Sequence, residues 1–241
     1  MEIALSALDE ARFGIRVARA ANIEGGHVAD ILAYCQQNAV QMLIARCAVD
    51  HIHHAQMLEQ SGFLLMDTLV YYKRDVLKKA IPADPNPLSI RSVRIGDEAA
   101  VRRVAEGAFR GYAGHYHADP RLERAKCDET YIDWAVRSCL DRNVAAEVLI
   151  AETNDSIVGF ATLRLNTTEE GEGVLFGVAP EAQGKGIYRA FILEGMRWCA
   201  ASGAHQMVVS TQVNNIAVQK VWVRLGFEPS YAYYTFHKWF D

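Results

Sequence analysis

The sequence predicts an α/β fold of alternating strands and helices, with a larger C-terminal unit preceded by a smaller N-terminal one. Two segments with the order strand, short loop and helix lie in the C-terminal part, and a final aromatic strand follows the second. Three prolines within 82–87 exclude both a helix and a central strand there. We therefore place a linker near residue 85 and predict two units, 1–84 and 85–241.

The C-terminal unit begins with a predicted strand, 88–94, and a helix that opens after Gly96 and runs to Phe109. A second helix and two strands that turn at Asn154-Asp155 follow it. Their predicted ranges are 131–140, 148–152 and 157–165.

A glycine loop after the next apolar strand predicts a phosphate-binding site. The strand ends at Val178 before Pro180, and Gln183-Gly184-Lys185-Gly186 precedes a helix that begins at Ile187. Unpaired amides and the helix dipole favour an anion there, and glycine lets the backbone approach it closely. The spacing is neither G-x-G-x-x-G nor G-x-x-x-x-G-K-[ST], which argues against the better-known phosphate loops.

A second strand, 207–211, leads through Asn214-Asn215 into a predicted helix, 216–225. Gly226-Phe227 follows, and glycine is the usual left-handed stop of a helix. The aromatic segment 231–239 predicts the last strand.

This order of motifs resembles the GCN5-related N-acetyltransferases, the GNAT superfamily. Gln183 and Gly186 match the loop pattern Q/R-x-x-G-x-G/A, and Asn215, Trp222 and Gly226-Phe227 match the later block. The resemblance extends from residue 89 to the C-terminus. It implies the GNAT fold, with a mixed, mostly antiparallel sheet flanked by helices, and it implies acetyl-CoA as the cofactor and an amine as the acceptor.

The resemblance also assigns the coenzyme contacts. Pantetheine is expected to pair with the strand that ends at Val178, whose amide is the candidate oxyanion donor. The loop amides are expected to hold the pyrophosphate. The full predicted set is Phe176, Gly177, Val178, Gln183, Gly184, Lys185, Gly186, Ile187, Tyr188, Asn215 and Trp222.

Two positions depart from the family pattern. Tyr188 stands where the family prefers glycine or alanine, and Trp222 stands where many relatives carry a tyrosine that protonates the thiolate. An indole N–H donates a hydrogen bond but is not a usable acid. We expect Trp222 to contact the sulfur, and we assign no general acid.

The N-terminal unit carries a degenerate copy of the C-terminal pattern. The segments that begin at Gln41 and Gln206 share Gln-Met, a helix of nearly equal length, Gly-Phe and a Tyr-Tyr pair. We interpret residues 1–84 as half of a GNAT-like domain that lacks a glycine loop and binds no coenzyme. The alternative is chance similarity between two common strand–helix–strand units.

The two-unit layout resembles the acetyltransferases that act on nucleotide-linked amino sugars, such as dTDP-fucosamine acetyltransferase. The shared features are the N-terminal half-domain, Ser210-Thr211-Gln212 and the segment 109–134. Within it, the loop 109–121 is the predicted acceptor site, because arginine suits phosphates and histidine suits proton transfer. The predicted acceptor-binding residues are Arg110, Tyr112, Tyr116, Arg121, Arg164 and Asn166, and the predicted catalytic residues are His115, His117, Asp119 and Trp222.

Alternatives remain at each of these positions. The alternative interpretation of the loop 109–121 is a polar surface segment without a binding role. Glu170 or Glu172 is the alternative general base. We predict no metal at His115-x-His117, and we interpret the cluster of Cys47, His51, His53 and His54 as a solvated helix. Another small amine, a peptide amine, or coenzyme binding without turnover are the alternative functions.

The net charge and the cysteine pattern indicate which partners and which cell compartment to expect. The net charge of −4 gives no support for a nucleic-acid or anionic-membrane partner. Five cysteines without a C-x-x-C pair, no membrane span and no signal peptide predict a cytoplasmic protein. We also consider a homodimer that pairs the segment 231–239 as an exposed edge.

Overall fold

A ten-stranded mixed sheet forms the centre of the structure, a computed structural model that describes residues 1–23, 27–84 and 88–240. Its strands are β1 Glu2–Leu5, β2 Val17–Ala21, β3 Met42–Ala48, β4 Leu64–Asp75, β5 Ile90–Ser92, β6 Glu147–Thr153, β7 Ser156–Leu165, β8 Glu170–Val178, β9 Gln206–Gln212 and β10 Glu228–Trp239. Its helices are α1 Ala7–Phe13, α2 Val28–Gln37, α3 Ile52–Gln60, α4 Glu98–Ala108, α5 His115–Ala118, α6 Arg124–Leu140, α7 Ile187–Ala201 and α8 Ile216–Arg224.

The strand order is β1-β2-β3-β10-β4-β9-β8-β7-β6-β5. Only β2–β3 and β8–β9 are parallel pairs among the described strands, and the other neighbours are antiparallel. The prediction of a mixed, mostly antiparallel GNAT sheet with flanking helices is confirmed.

Strands from the two predicted units are interleaved. β10, the last strand of the chain, lies between β3 and β4, and β4 in turn pairs with β9. The units 1–84 and 85–241 therefore share one sheet, and the boundary between them stays a prediction. The linker residues 85–87 lie outside the described residues.

The expectation of an exposed aromatic edge at 231–239 is wrong. β10 pairs with β3 on one side and with β4 on the other, because the N-terminal unit supplies a neighbour for each edge. A dimer formed by pairing two copies of this strand is therefore not available to the folded chain.

Local turn chemistry fixes several elements as predicted. Asn154 and Asp155 both have positive φ, +49° and +58°, which suits a two-residue hairpin turn between β6 and β7. Gly226 ends α8 with φ +82°. The sequence reasoning did not identify β1, α1, β2 or α2, and it began α6 seven residues late, at Tyr131 rather than Arg124.

The two faces of β3 belong to different cores. Leu43, Ala45 and Cys47 pack against α2 and α3, whereas Met42 and Ile44 pack with residues of α1, α5 and α6 on the opposite face. Arg46 lies two residues after Ile44, so its side chain is on the same face of β3 as Met42 and Ile44 and projects toward α1, α5 and α6. This face carries the candidate acceptor pocket.

Candidate active site

A fork opens in the sheet between β8 and β9. Their parallel ladder ends at Gly173 and Val209, although the two strands continue to Val178 and Gln212. Main-chain groups along the separated edges are thus available to an extended ligand arm, which can pair with them as an added strand. The predicted pantetheine contacts lie on this fork.

The glycine loop at the end of β8 fits a phosphate group. Gly184 and Gly186 have φ of +76° and +84°. A Cβ at either position would meet no protein atom within 4 Å, so both glycines border open space. Gly186 is also the N-cap of α7, whose first amides have no partner inside the helix.

Side chains hold the two ends of this fork in place. Gln183 Nε2 donates to the Val178 carbonyl at 3.3 Å, which ties the loop to the end of β8. Asn215 Nδ2 donates to Thr211 Oγ1 at 3.0 Å, where the chain leaves β9. These residues, together with the open loop, fit a coenzyme carrying an extended arm and a pyrophosphate.

The two departures from the family pattern contact each other. Trp222 is buried, with 1% exposure, and its Nε1 donates to Tyr188 Oη at 2.9 Å. Burial raises the pKa of Tyr188 above its usual range, an effect that the Trp222 hydrogen bond opposes. The Trp222 N–H is therefore directed to a phenol that stays protonated, and its predicted contact with the coenzyme sulfur stays a prediction.

A cavity of about 520 Å³ adjoins the fork on one face of the sheet. Val174 and Leu175 of β8 and Ser210–Gln212 of β9 form one part of its wall. Five arginines also line it: Arg12, Arg19, Arg46, Arg137 and Arg164. The cavity therefore connects the fork with a strongly cationic wall.

Four of these arginines are ion-paired with acidic side chains: Arg12 with Asp133 at 2.9 Å, Arg137 with Asp133 at 2.8 Å, Arg19 with Asp9 at 2.6 Å, and Arg164 with Glu172 at 2.6 Å. Burial tends to raise the pKa of Asp9, but hydrogen bonding and charge from Arg19 outweigh it and lower that pKa. The Asp9 carboxylate thus stays ionised, and the ion pairs orient the guanidinium groups around the cavity.

Arg46 is different. Its Nε is buried and has no hydrogen-bond partner in the described part of the chain, as is also true of Thr235 Oγ1 and both Asp67 carboxylate oxygens. Thr235 lies opposite Arg46 on β3 and opposite Asp67 on β4. Opposite residues share a sheet face, so the three polar groups form one row across three strands.

Only part of the predicted acceptor set lines the cavity. Tyr112, His115, Tyr116 and Arg164 contribute to its wall. The Tyr112 hydroxyl donates to Gln212 Oε1, which links the predicted acceptor loop to β9.

The other predicted residues lie elsewhere. Arg110 is exposed, Arg121 lies over the Trp239 ring at 4.1 Å, and Asn166 accepts from Arg164 at the exposed end of β7. His117 bonds to Asp128 at 3.0 Å. Of the alternative bases, Glu172 lines the cavity, and Glu170 is held by Asn166 and Gln206.

Asp119 and His115 are joined through a residue that the sequence reasoning missed. His237 Nδ1 lies 2.7 Å from Asp119 Oδ2, and His237 Nε2 lies 2.9 Å from His115 Nδ1. The pKa of His115 is well below its usual value, first because of burial and then because of charged neighbours that include Arg46 and Arg19. His115 is therefore a neutral imidazole in the cavity wall.

The described residues contain no group of three or more histidine, cysteine, aspartate or glutamate side chains suited to hold a metal ion. All five cysteines are free. None of the described helices combines the length and the apolar character that a membrane crossing requires.

Part of the chain matches a known family. Residues 109–227 match the model of the acetyltransferase (GNAT) family. A mycothiol acetyltransferase of Saccharopolyspora erythraea is 30% identical over 144 residues, which are 59% of this chain and 44% of that protein. The spore coat polysaccharide biosynthesis protein SpsD of Bacillus subtilis is 23% identical over 209 residues, covering 85% of this chain and 68% of SpsD.

Solved structures show the same fold. A GCN5-related N-acetyltransferase from Sphaerobacter thermophilus superimposes with a TM-score of 0.68 at 16% identity, covering 98% of this chain and 76% of its own. A tandem GNAT protein from the clavulanic acid biosynthesis pathway has a TM-score of 0.62 at 13% identity, with coverages of 94% and 76%. The chain spans about half the length of the mycothiol acetyltransferases that it matches.

Proposed function

Because the family model, the fold and the structural neighbours all support membership of the GNAT superfamily, we propose that this chain acetylates the amine of a small anionic acceptor. The acceptor class that we propose is a nucleotide-linked amino sugar, with thymidine diphosphate as the first nucleotide to test. The observation that carries the proposal is the arginine-lined cavity that meets the β8–β9 fork.

The donor is acetyl-CoA, which GNAT acetyltransferases use and which supplies an acetyl thioester. On this chain, the amides of the 183–188 loop hold its pyrophosphate, and the fork edge of β8 pairs with its arm. The Val178 amide is the oxyanion donor in this proposal. Asn215 supports the arm where the chain leaves β9.

Arg46 is the residue that we assign to the anionic part of the acceptor. Its guanidinium lines the cavity, and its Nε has no protein partner in the described residues. A buried polar group without a partner costs about 1–3 kcal/mol, so the unpartnered Arg46 Nε favours a ligand that accepts a hydrogen bond from it. The planar guanidinium suits a phosphate, and the partners of the other four arginines already satisfy much of their charge.

Two candidate bases, Glu172 and His115, line the cavity. Glu172 accepts two hydrogen bonds from Arg164, from Nε at 2.9 Å and from Nη2 at 2.6 Å. Because Arg164 already occupies Glu172 Oε2, we assign Glu172 to binding of the acceptor ammonium rather than to proton removal. His115 is already neutral, so we assign proton removal from the acceptor amine to it.

A second acceptor follows from the relatives. Several proteins that match this chain are named mycothiol acetyltransferases, so deacetylated mycothiol is the alternative substrate. Its amine-bearing part would enter the same cavity from the fork. We place either reaction in the cytoplasm, in agreement with the five free cysteines.

Thiol release from acetyl-CoA tests the proposal. The panel contains thymidine- and uridine-diphosphate amino sugars, the same amino sugars without the nucleotide, deacetylated mycothiol, spermidine and a peptide with a free N-terminus. We expect turnover on a nucleotide sugar with a kcat/KM at least tenfold above that of its matched free sugar. Preference for the free sugar would contradict the anionic-acceptor proposal, and preference for deacetylated mycothiol would select the alternative. Tight coenzyme binding without turnover on any amine would indicate a binding module.

A further inference from the structure

We infer that Asp119, His237 and His115 form a hydrogen-bonded relay that fixes His115 Nε2 as the base toward the acceptor amine. The inference rests on the proposed function, because it gives the base of that same site its supporting residues. His237 is a positioning residue in this relay, since it acts on the acceptor only through His115.

The direction of the hydrogen bonds follows from the geometry. An ionised Asp119 carboxylate only accepts, so the 2.7 Å contact requires that His237 carries its proton on Nδ1. In a neutral His237, Nε2 is then an acceptor, and the 2.9 Å contact requires that His115 donates from Nδ1. His115 Nε2 is consequently left with a free lone pair as the basic nitrogen of that ring.

The carboxylate at the buried end of the relay is held firmly in its ionised form. Asp119 also accepts from Trp239 Nε1 at 2.9 Å and from the Arg121 amide at 3.0 Å. Burial tends to raise the pKa of Asp119, but hydrogen bonds from His237 and Trp239 outweigh it and lower that pKa. The anchor therefore stays charged at neutral pH, and with a neutral His237 the proton order along the relay has one solution.

Burial protects the relay from solvent. Asp119, His237 and His115 are 3%, 1% and 6% exposed, and the His115 ring lies tilted against the Tyr116 ring with centroids 3.9 Å apart. Two segments supply them: α5 with the turn after it, and β10. The relay thus begins in the core and ends at His115, which forms part of the cavity wall.

The groups around His115 define when it can take a proton. Burial is the main factor that disfavours the His115 imidazolium and lowers its pKa, and the positive charges of Arg46 from β3 and Arg19 from β2 add to it. An anionic acceptor on Arg46 would offset part of this positive charge. Binding of the acceptor is therefore expected to increase the basicity of His115 at the moment when a base is needed.

The proton balance is simple. His115 Nε2 takes one proton from the acceptor ammonium, and the amine nitrogen then forms its bond to the thioester carbonyl carbon. As the C–S bond breaks, the second nitrogen proton passes to sulfur, giving an N-acetyl amide and a thiol. His115 then returns its proton to solvent, so one proton is released in each turnover.

Nitrogen-15 NMR of the histidine side chains tests the relay without any turnover. Both His115 and His237 are expected to show the neutral Nδ1–H tautomer at pH 7, with the signals assigned by loss in His115→Gln and His237→Gln. The exposed His53 of α3, on the opposite face of β3, serves as control through His53→Gln. An Nε2–H tautomer at His115, or a charged His237, would overturn the inference.

Kinetics of the same variants give the second readout, with whichever amine the wild-type protein acetylates best. We expect His115→Gln to lower kcat about 10²–10⁴-fold, and His237→Gln and Asp119→Asn to lower it about 10–100-fold. The Kd for acetyl-CoA should not change, and His53→Gln should match the wild type. A folded His237→Gln protein with wild-type kcat would show that the relay is only structural. Failure of nucleotide sugars alone, with normal turnover of another amine, would contradict the proposed substrate and leave this test intact.

Discussion

Replacing Arg46 by methionine should separate acceptor recognition from coenzyme binding. The change keeps a long, flexible side chain on β3 and removes only the guanidinium that lines the cavity. Arg46 has no ion-pair partner among the described residues whose charge would be stranded by its loss. The variant is therefore expected to fold, and its effect should be confined to ligands that contact the cationic wall.

The magnitude follows from the hydrogen bonds that a phosphate would form. Hydrogen bonds to charged groups contribute about 1.5–3 kcal/mol each, and a tenfold change in affinity corresponds to about 1.4 kcal/mol. Loss of one such contact should thus raise the KM for the anionic acceptor about 10- to 100-fold. The KM for acetyl-CoA should stay the same, because the glycine loop and the fork edge of β8 are untouched.

The assay compares thiol release by wild type, Arg46→Met, Arg46→Lys and Arg110→Met, each with an anionic acceptor and its uncharged counterpart. Arg110 is exposed and lies outside the cavity lining, so it is the matched arginine control. Lysine at position 46 should restore part of the affinity through its charge but not the bidentate geometry. An equal loss on charged and uncharged acceptors, or an equal effect of Arg110→Met, would refute the reasoning.

Three further predictions concern the loop, the buried ion pair and the shared sheet. Gly186→Ala should weaken acetyl-CoA binding by at least tenfold in calorimetry, because its positive φ costs alanine about 1–2 kcal/mol and its Cβ would enter the space open to the ligand. The pKa of Asp9 is lowered in the folded state by Arg19 despite the opposing effect of burial, so Asp9 stabilises the fold above the unfolded carboxyl pKa of about 3.9. Urea midpoints of the wild type should therefore fall as the pH drops below about 4, and Asp9→Asn should be less stable at pH 7 with a flatter acid dependence. Residues 85–241 expressed alone should not give the cooperative thermal transition of the full chain in circular dichroism, because both edges of β10 would lose their partners.

The strand, loop and helix of the candidate coenzyme site could be predicted from the sequence because their signals are local. A strand, a glycine loop and a helix N-terminus follow one another directly along the chain, and each loop glycine is explained by the backbone conformation that it adopts. The structure gives Gly184 and Gly186 the positive φ that the loop requires. The helix stop at Gly226 and the turn at Asn154-Asp155 are predictable for the same reason.

The acceptor side could be predicted only in part, because it is assembled from distant segments. The loop 109–121 has the composition of a binding site, and Tyr112, His115 and Tyr116 do line the cavity. Its arginines do not, because Arg110 is exposed and Arg121 lies over the Trp239 ring. Arg164 of β7 was among the predicted residues, whereas the other cavity arginines come from α1, β2, β3 and α6, and no sequence spacing relates those elements.

Single charged residues within apolar strands were the available signal. Arg19 follows Val17-Ala18, and Arg46 follows Ile44-Ala45, both in segments otherwise typical of buried strands. A guanidinium in such a position needs a partner or a ligand, because burial of an unpaired charge is costly. Arg19 is ion-paired with Asp9, whereas Arg46 lines the cavity, where a ligand can bind to it.

The position of β10 brings residues from both halves of the chain to the proposed acceptor site. Thr235 and His237 lie on the same face of this strand. Thr235 belongs to the polar row with Arg46, and His237 belongs to the relay to His115. Its neighbours β3 and β4 come from the N-terminal unit, and β4 also pairs with β9, one arm of the fork. The N-terminal unit therefore does more than cover a sheet edge. By holding β10 in register, it keeps the proposed anion contact and the proposed base at a fixed separation from the fork where the acetyl group is delivered.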